Sequence, residues 1–284
     1  MGSASGKSVV VLGKMCTDPN RAESAWQSSD GFSRLVRASC FDLMRDLPSE
    51  SIDCVWTDPP YFLSSDGPTC ANGRRVSVNK GAWDRSAGLD EDFGFQKRWL
   101  QECHRILKPA GNMWVTGTFH VHAAIGFAMQ SVGFRILNDI VWRKPSPPPN
   151  LGTRTFTHAT ELIWWGTKAA RGSAERYTFH YDDMKRENGG KQMSNVWTMA
   201  PVPRSEKVHG KHPTQKPVAL VDRCLRASTN SGDIVFDPFA GSGTTGVAAL
   251  WLGRHFIGCE IEEDSLSVAV RRLADCAQPL AATA

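Results

Sequence analysis

A short acidic motif, Asp58-Pro59-Pro60-Tyr61, follows an apolar segment and has the groups needed to hold an amine. Proline fixes φ and lacks a backbone N–H, so two consecutive prolines hold carbonyl oxygens rigidly beside the Asp58 carboxylate. An exocyclic amino group could point its two N–H bonds at this carboxylate and at the Pro59 carbonyl, which directs the nitrogen lone pair toward an electrophile. Tyr61 offers a face for stacking of a base. An ordinary Asp-Pro turn with a surface tyrosine is the alternative interpretation.

A second motif is rich in glycine and runs from Asp237 to Thr245 with the sequence DPFAGSGTT. Small residues let the backbone approach a ligand closely, and the N-terminus of a following helix adds oriented N–H groups. Glu260 ends the next apolar segment, at the position where an acidic side chain of a Rossmann-like unit accepts hydrogen bonds from both ribose hydroxyls. Together these residues indicate a cofactor that contains a nucleoside, although a tight packing turn explains the glycines alone.

The segments that must position these motifs alternate between strand and helix patterns. Ile52–Thr57 is typical of a buried strand, and the two prolines after it end the strand. Further strands are predicted at Asn112–Thr118, Ile136–Arg143, Glu161–Gly166, Ile234–Phe236 and Phe256–Cys259. Helices are predicted at Phe41–Leu47, Phe95–Leu107, Val121–Val132, Pro217–Ala227, Thr245–Leu252 and Glu263–Ala274. This alternation predicts an α/β fold with a mostly parallel, Rossmann-like sheet.

The same patterns divide the chain into five parts. We expect a flexible lead-in over residues 1–30 and a catalytic half over 31–167, which contains a long polar loop at 62–84. A loop of this length usually serves as a mobile lid or a ligand clamp. Residues 168–210 lose periodicity and are predicted to be a small inserted recognition segment. Residues 211–276 form the cofactor-binding half, and 277–284 a tail.

Charge is unevenly distributed over the 284 residues. Residues 135–226 hold 16 Lys and Arg against 8 Asp and Glu, a net charge of +8, whereas the whole chain carries +4. A basic third of this kind favours a polyanionic partner, with an ordinary solvated surface as the alternative. The eight cysteines form no CxxC pair, which favours reduced thiols. The sequence contains no apolar run of 18 residues and no secretion signal pattern, so we expect a cytoplasmic protein with no membrane partner.

The motifs in combination carry a specific resemblance. DPPY at 58–61, KHPTQKP at 211–217 and FAGSGTT at 239–245 resemble the amino-group DNA methyltransferases of bacterial restriction–modification systems. Their order resembles the β group, in which the cofactor motif comes last and the motif order is circularly permuted. YFLSSDG, SVNKGAWD, PNLGTRTFTHATE and GKQMSNVW are similar to adenine methylases of the Dpn type, which act on GATC. The similarity extends from Val36 to Leu273.

This resemblance implies transfer of a methyl group from S-adenosylmethionine to N6 of an adenine flipped out of duplex DNA, without a covalent enzyme intermediate. It implies that Asp58 and Pro59, with Pro60, bind the target amine and that Tyr61 stacks on the base. The implied cofactor residues are Asp237, Phe239, Gly241, Ser242, Gly243 and Thr244 in the loop, Glu260 at the ribose, and His212 and Thr214 at the methionine end. Ser39 and Cys40 stand where the family often carries Asp, which leaves a weaker contact to the cofactor's adenine. Base-pocket and DNA contacts fall on Trp142, Lys144, Arg74, Arg75, Lys80, Arg204 and Lys207.

Three other functions are compatible with these patterns. The first is methylation of cytosine N4, although the N4 enzymes usually resemble SPPY at the catalytic motif. The others are methylation of RNA or a protein glutamine, and a catalytically silent DNA-binding protein. His120 and His122 have metal-ligand spacing but lack a third ligand nearby, so no metal is expected. Single-stranded DNA as a second substrate, a homodimer, and a cognate restriction endonuclease that is not a physical partner remain open.

Overall fold

The computed structural model describes residues 24–64, 68–71, 74–77, 80–210 and 212–277. The strands are β1 (Ser24–Gln27), β2 (Arg34–Arg37), β3 (Ile52–Thr57), β4 (Pro68–Ala71), β5 (Arg74–Ser77), β6 (Leu107–Gly117), β7 (Arg135–Arg143), β8 (Thr160–Thr167), β9 (Val196–Thr198), β10 (Ile234–Asp237) and β11 (His255–Glu260). The helices are α1 (Cys40–Asp46), α2 (Leu89–Ile106), α3 (Phe119–Ser131), α4 (Tyr181–Glu187), α5 (Val218–Ser228), α6 (Thr244–Trp251) and α7 (Glu263–Ala277). Among these described helices, none combines the length and apolar character that a membrane crossing requires.

Nine of these strands form one sheet in the order β1-β2-β11-β10-β3-β6-β8-β7-β9. The strands from β2 to β6 in this order are parallel to their neighbours. β8 runs antiparallel between β6 and β7, and β1 runs antiparallel to β2. The chain moves away from the β10–β3 pair in opposite directions, which makes this pair the topological switch point where α/β sheets bind ligands. The mostly parallel sheet with its helices confirms the predicted Rossmann-like α/β fold.

Helices cover both faces of the sheet. Adjacent residues of β3 point to opposite faces, so that Trp56 enters one core and Val55 enters the other. The core around Trp56 includes side chains of α5, α6 and α7, and the core around Val55 includes side chains of α1, α2 and α3. Trp114 and Trp165 stack in the first core with ring centroids 4.9 Å apart. Burial on both faces explains why the central strands read as continuous apolar runs.

Two segments differ from the sequence prediction. Residues 24–27, within the predicted lead-in, form β1 at the edge of the sheet, where Trp26 is the buried side chain of the strand. A strand this short, with one buried residue, has no apolar periodicity to reveal it. The predicted loop 62–84 contains an antiparallel hairpin of β4 and β5 and a 3₁₀ turn at Ala82–Asp84. The flanking residues 65–67, 72–73 and 78–79 lie outside the described part.

The predicted recognition segment, residues 168–210, is partly integrated into the fold. It contributes α4, a 3₁₀ turn at Arg204–Lys207, and β9, which pairs in parallel with β7. Trp197 of β9 is buried in the core that contains Trp114, and Met184 of α4 is also buried. The segment therefore extends the sheet in addition to presenting exposed basic residues.

The carboxyl ends of the parallel strands meet at one edge of the sheet. Asp58 follows β3, Pro238 follows β10, Ser39 lies just after β2, and Glu260 ends β11. Because neighbouring parallel strands end side by side, both sequence motifs and their acidic partner lie at this edge.

Gly246 in α6 is expected to tolerate no side chain, because a Cβ there would lie 2.6 Å from Leu273 Cδ2 and 2.8 Å from Phe256 Cδ1. Gly246→Ala should lower the free energy of unfolding by about 1–3 kcal/mol through overpacking, although alanine itself favours a helix. Gly94→Ala in α2 is the matched control, since a Cβ there would meet nothing within 4 Å. The control should be neutral or stabilising by up to about 1 kcal/mol in chemical denaturation. Equal effects of the two substitutions would contradict the close contact at Gly246.

Candidate active site

A cavity of about 280 Å³ opens at the carboxyl edge of the parallel strands. This volume is near the lower limit of pockets that bind small ligands. The predicted site residues that line it are Asp58, Pro60, Ser39, Cys40, His212, Thr214, Asp237, Phe239, Gly241, Ser242, Thr244 and Glu260. The catalytic motif and the glycine-rich motif, far apart in the chain, thus share one cavity.

The Asp58 carboxylate accepts hydrogen bonds from its own motif and from two distant segments. Its Oδ1 accepts from the Tyr61 hydroxyl at 2.5 Å and from the Thr116 hydroxyl, and its Oδ2 accepts from the Lys216 ammonium. Burial by itself raises the pKa of Asp58, but the Lys216 charge and these hydrogen bonds outweigh burial and bring that pKa below its ordinary value. Asp58 is therefore an ionised acceptor at the cavity wall.

The ring of Tyr61 is covered in this structure. Tyr61 is 6% exposed, and the ammonium groups of Lys80 and Lys216 each lie 5.5 Å from its ring centroid. Burial, followed by the charges of Asp58 and Glu161, raises the pKa of the Tyr61 hydroxyl well above its ordinary value, so it remains a neutral donor. Stacking of a base on this ring, as the sequence predicts, requires the two ammonium groups to move.

A buried carboxylate supports the backbone of the catalytic motif. Asp84, in the 3₁₀ turn after the hairpin, accepts hydrogen bonds from the backbone N–H groups of Tyr61 at 3.0 Å and Phe62 at 2.8 Å and from the Ser64 hydroxyl at 2.9 Å. Gln96 of α2 donates to the Pro60 carbonyl at 2.9 Å. The turn after β3 is thus held from two sides, which fixes the direction of the Asp58 side chain.

The glycine-rich turn is shaped by two residues with positive φ. Gly241 has φ 52°, and a Cβ there would lie 3.2 Å from His212 Nε2; Gly243 has φ 75° and approaches Ala269 of α7. Gly243 is the N-cap of α6 and does not appear on the cavity wall. Asp237 accepts from the Phe239 N–H at 3.0 Å and the Thr245 hydroxyl at 2.5 Å, and burial raises its pKa to about 7.

Arg272 of α7 holds the same turn from behind. Its guanidinium, 7% exposed, donates to the Ser242 carbonyl at 2.7 Å, the Ser242 hydroxyl at 3.1 Å and the Thr244 hydroxyl at 2.9 Å. All three acceptors surround one nitrogen, Nη1, whose two hydrogens they share, so Arg272 joins Ser242 to Thr244.

Glu260 ties the end of β11 to the glycine-rich turn. Its Oε2 accepts from the Gly241 N–H at 2.8 Å, and its Oε1 accepts from the N–H groups of Ile261 and Glu262, each at 2.8 Å. Burial raises the pKa of Glu260 despite these bonds. Each carboxylate oxygen can accept two hydrogen bonds, so Oε2 retains capacity toward the cavity.

His212 lies beneath the glycine-rich turn as a neutral ring. Its Nε2 is 3.0 Å from the Thr214 hydroxyl and its Nδ1 is 3.0 Å from the Ser265 hydroxyl. Burial lowers the pKa of His212 to about 4. Both ring nitrogens are satisfied within the protein, so His212 orients Thr214 and Ser265 at the cavity wall.

Ser39 and Cys40 lie on the cavity wall but have structural roles there as well. The Ser39 hydroxyl caps α1 by accepting from the Asp42 N–H at 3.2 Å and donates to the Asp42 carboxylate at 2.9 Å. The Cys40 thiol is buried, which raises its pKa to about 12 and leaves it a neutral, weakly polar surface.

Trp142, expected at the base pocket, lies in the core instead. It is 2% exposed, and its indole N–H donates to the Met199 carbonyl at 3.0 Å. β9 extends the sheet beyond β7, so β7 is not an edge strand. Trp142 of β7 pairs with Trp197 of β9 inside the sheet. Lys144 donates to the Glu161 carboxylate and lies over the Trp142 ring.

The structure describes the side chains of only some of the residues that the sequence predicts to contact DNA. Arg204 and Lys207 are exposed in a 3₁₀ turn, and Lys80 lies 3.8 Å from the Asp84 carboxylate. Arg74 and Arg75 belong to β5, but their side chains lie outside the described part.

Sequence reasoning did not assign several residues that contact the site. Lys216, Asp84 and Glu161 lie within motifs that carried the resemblance, KHPTQKP, SVNKGAWD and PNLGTRTFTHATE, so their positions could have been singled out. Thr116 and Arg272 lie outside such motifs, and only the sheet order and the packing of α7 bring them to the site.

Comparison with known proteins is consistent with this architecture. A family model described as DNA methylase matches residues 52–271. The chain is 46% identical over 239 residues to the type II methyltransferase M2.LlaDCHI of Lactococcus lactis subsp. cremoris and 45% identical over 239 residues to M2.DpnII of Streptococcus pneumoniae. Each match covers 84% of this chain and 88% of the relative. The crystal structure of an M1.HpyAVI–SAM complex superposes with a TM-score of 0.62 at 26% identity, covering 84% of this chain and 98% of that one.

The family model begins at β3, whose end carries Asp58, and extends through the glycine-rich turn to α7. The catalytic motif, the glycine-rich turn and Glu260 therefore fall within the matched region, whereas the cavity residues 38–41 precede it. On the strength of this match and of relatives that share over 40% of their residues with it across most of the chain, the protein belongs to the DNA methylase family.

Proposed function

We propose that this protein is a site-specific DNA methyltransferase of a restriction–modification system, which transfers a methyl group from S-adenosylmethionine to N6 of an adenine flipped out of duplex DNA. The observation that carries the proposal is the shared cavity, which is lined by an ionised Asp58, by the glycine-rich turn and by Glu260. A DNA substrate and bacterial relatives favour the bacterial cytoplasm as its place of action.

The residues on the cavity wall fit S-adenosylmethionine. The ring carbons of Phe41 and Phe239 supply apolar surface for a base, and the Glu260 carboxylate supplies an acceptor for ribose hydroxyls. Gly241 keeps the wall open where a Cβ would contact His212. Thr214, oriented by His212, and the N-terminus of α6 supply polar groups for the methionine end.

The mechanism places the target amine between two acceptors. When bound, S-adenosylmethionine supplies an electrophilic methyl group on a positively charged sulfur. The Asp58 carboxylate and the Pro59 carbonyl accept the two N–H bonds of the target amine, which withdraws its lone pair from the ring and directs it toward the methyl carbon. Nitrogen then bonds to the methyl carbon as the carbon–sulfur bond breaks. The nitrogen carries a positive charge until it loses a proton, and the Asp58 carboxylate is the adjacent base.

The catalytic motif favours adenine N6 over cytosine N4 as the atom that is methylated. Both amines lie beside a ring nitrogen, so the two acceptors alone do not discriminate between them. Asp at position 58 resembles the adenine enzymes, and the stretches outside the motif resemble those that act on GATC. Cytosine N4 is the second candidate because its chemistry at Asp58 and Pro59 is the same.

We propose that contacts to DNA fall on basic residues of three segments. Residues 168–210 would act as the recognition segment, with the exposed Arg204 and Lys207 contacting phosphates. Lys80, Arg74 and Arg75 would contact the backbone beside the flipped base, and Lys144 would lie near the base pocket.

The product is tested by digestion of methylated plasmid DNA to nucleosides and mass spectrometry. N6-methyladenine should dominate the methylated pool, and Asp58→Ala should abolish it while cofactor binding, measured by titration calorimetry, changes little. A pool dominated by N4-methylcytosine would overturn the adenine assignment. Near-normal turnover of Asp58→Ala would overturn the role of the carboxylate.

Removal of the Glu260 carboxylate should weaken cofactor binding. Because the charged acceptor serves two ribose hydroxyls, Glu260→Ala should raise the dissociation constant for S-adenosylmethionine by an amount equivalent to about 2–3 kcal/mol. Glu263→Ala is the matched control, since Glu263 is exposed and pairs with Arg37 on the surface. If calorimetry gives the same constant for wild type and Glu260→Ala, the ribose is held elsewhere.

Loss of the Asp84 carboxylate should disorder the catalytic turn. Asp84→Ala leaves the backbone N–H groups of Tyr61 and Phe62 without an acceptor, so the free energy of unfolding should fall by about 2–3 kcal/mol, and methyl transfer should fall more than cofactor binding. Asp92→Ala is the control, since Asp92 accepts from Ser86 and the Ala87 N–H at an exposed turn. A variant at position 84 that keeps wild-type stability and transfer would show that the turn does not depend on this carboxylate.

A further inference from the structure

Four charged side chains form a connected row of ion pairs that ends at the proposed amine site. Lys144 donates to Glu161 Oε1, Lys216 lies 3.5 Å from Glu161 Oε2, and Lys216 donates to Asp58 Oδ2. The side chain of Lys216 is 6% exposed and that of Glu161 is 16% exposed. Two cations and two anions balance one another, so the set is stable when buried only as long as each charge keeps a partner.

Lys216 is bound to the one Asp58 oxygen that is left for the target amine. Asp58 Oδ1 already accepts from the hydroxyls of Tyr61 and Thr116, which uses both of its lone pairs. Oδ2 is the remaining oxygen, and the Lys216 ammonium takes one of its two acceptor positions. The same ammonium lies over the ring on which the base would stack.

The charge of Lys216 is also unfavourable for the reaction if it stays in place. The target nitrogen becomes positively charged as the methyl group is transferred, and a neighbouring ammonium in a buried site repels that charge. Fast transfer therefore requires that Lys216 leave Asp58 when the amine enters.

Glu161 provides a second partner for Lys216. Its Oε2 is buried and accepts no hydrogen bond from any residue in the described part of the chain, although Lys216 Nζ lies within 3.5 Å. A buried carboxylate oxygen without a hydrogen bond costs free energy. A small movement of the Lys216 ammonium toward Glu161 Oε2 would satisfy that oxygen and give Lys216 a contact in place of the one with Asp58.

We propose that Lys216 and Glu161 form a charge switch: Lys216 neutralises Asp58 in the absence of the target base and moves to Glu161 when the target amine binds Asp58. The proposal rests on the amine site of the proposed function and adds two positioning residues to it. Lys216 keeps its proton throughout, so the switch consists of a change of hydrogen-bond partner. The switch keeps the buried Asp58 ionised while no target base is bound. It frees Asp58 to accept a hydrogen bond from the target amine when the base enters.

The test is a double-mutant cycle on single-turnover methyl transfer to plasmid DNA at saturating S-adenosylmethionine. Glu161→Gln removes the charge that receives Lys216, so the transfer rate constant should fall by about tenfold or more, with an unchanged dissociation constant for the cofactor. Lys216→Met, measured alone, removes the cation that changes partner and also leaves Asp58 without its charged partner, so this variant should transfer slowly. In the Lys216→Met background, Glu161→Gln should cause no further loss of rate, because no cation remains for Glu161 to receive.

Asp53→Asn is the matched control for loss of a half-buried ion pair. Asp53 pairs with Lys108 at 2.6 Å with similar exposure, but at the opposite edge of the sheet. This variant should lose stability in chemical denaturation and keep its single-turnover rate. If Glu161→Gln transfers slowly while it loses about as much stability as Asp53→Asn, the slow transfer is due to the switch and not to general destabilisation. If Glu161→Gln does not fold, Glu161→Asp, which withdraws the carboxylate by one methylene, makes the same comparison.

Wild-type transfer by Glu161→Gln, or a double variant much slower than Lys216→Met alone, would overturn the switch. These outcomes are distinct from failure of the proposed function, which would appear as absence of methyl transfer by the wild type or as turnover by Asp58→Ala.

Discussion

The Asp58 carboxylate is largely removed from water, and the contacts in the catalytic half of the site keep it negatively charged. A carboxylate that is 15% exposed and lacks partners takes up a proton, and a protonated Asp58 could not accept on both oxygens. Donors from β6, from the catalytic motif itself and from the segment before α5 hold it ionised. These contacts explain why Thr116, Tyr61 and Lys216 are buried despite being polar.

The direction of the Asp58 side chain depends on a second set of contacts. Asp84 holds two backbone N–H groups of the catalytic motif, and Gln96 holds the Pro60 carbonyl. The glycine-rich turn is fixed in a comparable way by Glu260 in front and Arg272 behind. Both ligand-facing turns are thus irregular backbone whose polar groups are satisfied by side chains, which lets them keep one conformation without the hydrogen bonds of a helix or a strand.

The central strands could be predicted because they are buried on both faces. Ile52–Thr57, Ile234–Asp237 and His255–Glu260 read as apolar runs bounded by turn residues, and each is a parallel strand. β1 could not be predicted, since Trp26 is its buried side chain and its pairing with β2 supplies the rest of its stability. The same limit applies to β9, a strand of three residues whose place is decided by its pairing with β7.

For the site, the sequence by itself determined the groups that face the cavity: an acidic Pro-Pro motif after one strand, glycines after another, and an acid at the end of a third. Local chemistry imposes these choices, because proline, glycine and a carboxylate each have properties that no other residue supplies at those positions. Only the tertiary structure decided what surrounds them. Trp142 lies in the core because β9 extends the sheet beyond it, and Tyr61 is covered because two ammonium groups lie over its ring. Lys216 meets Asp58 across 158 positions of sequence, and a contact of that separation depends on the order of the strands, which local patterns do not encode.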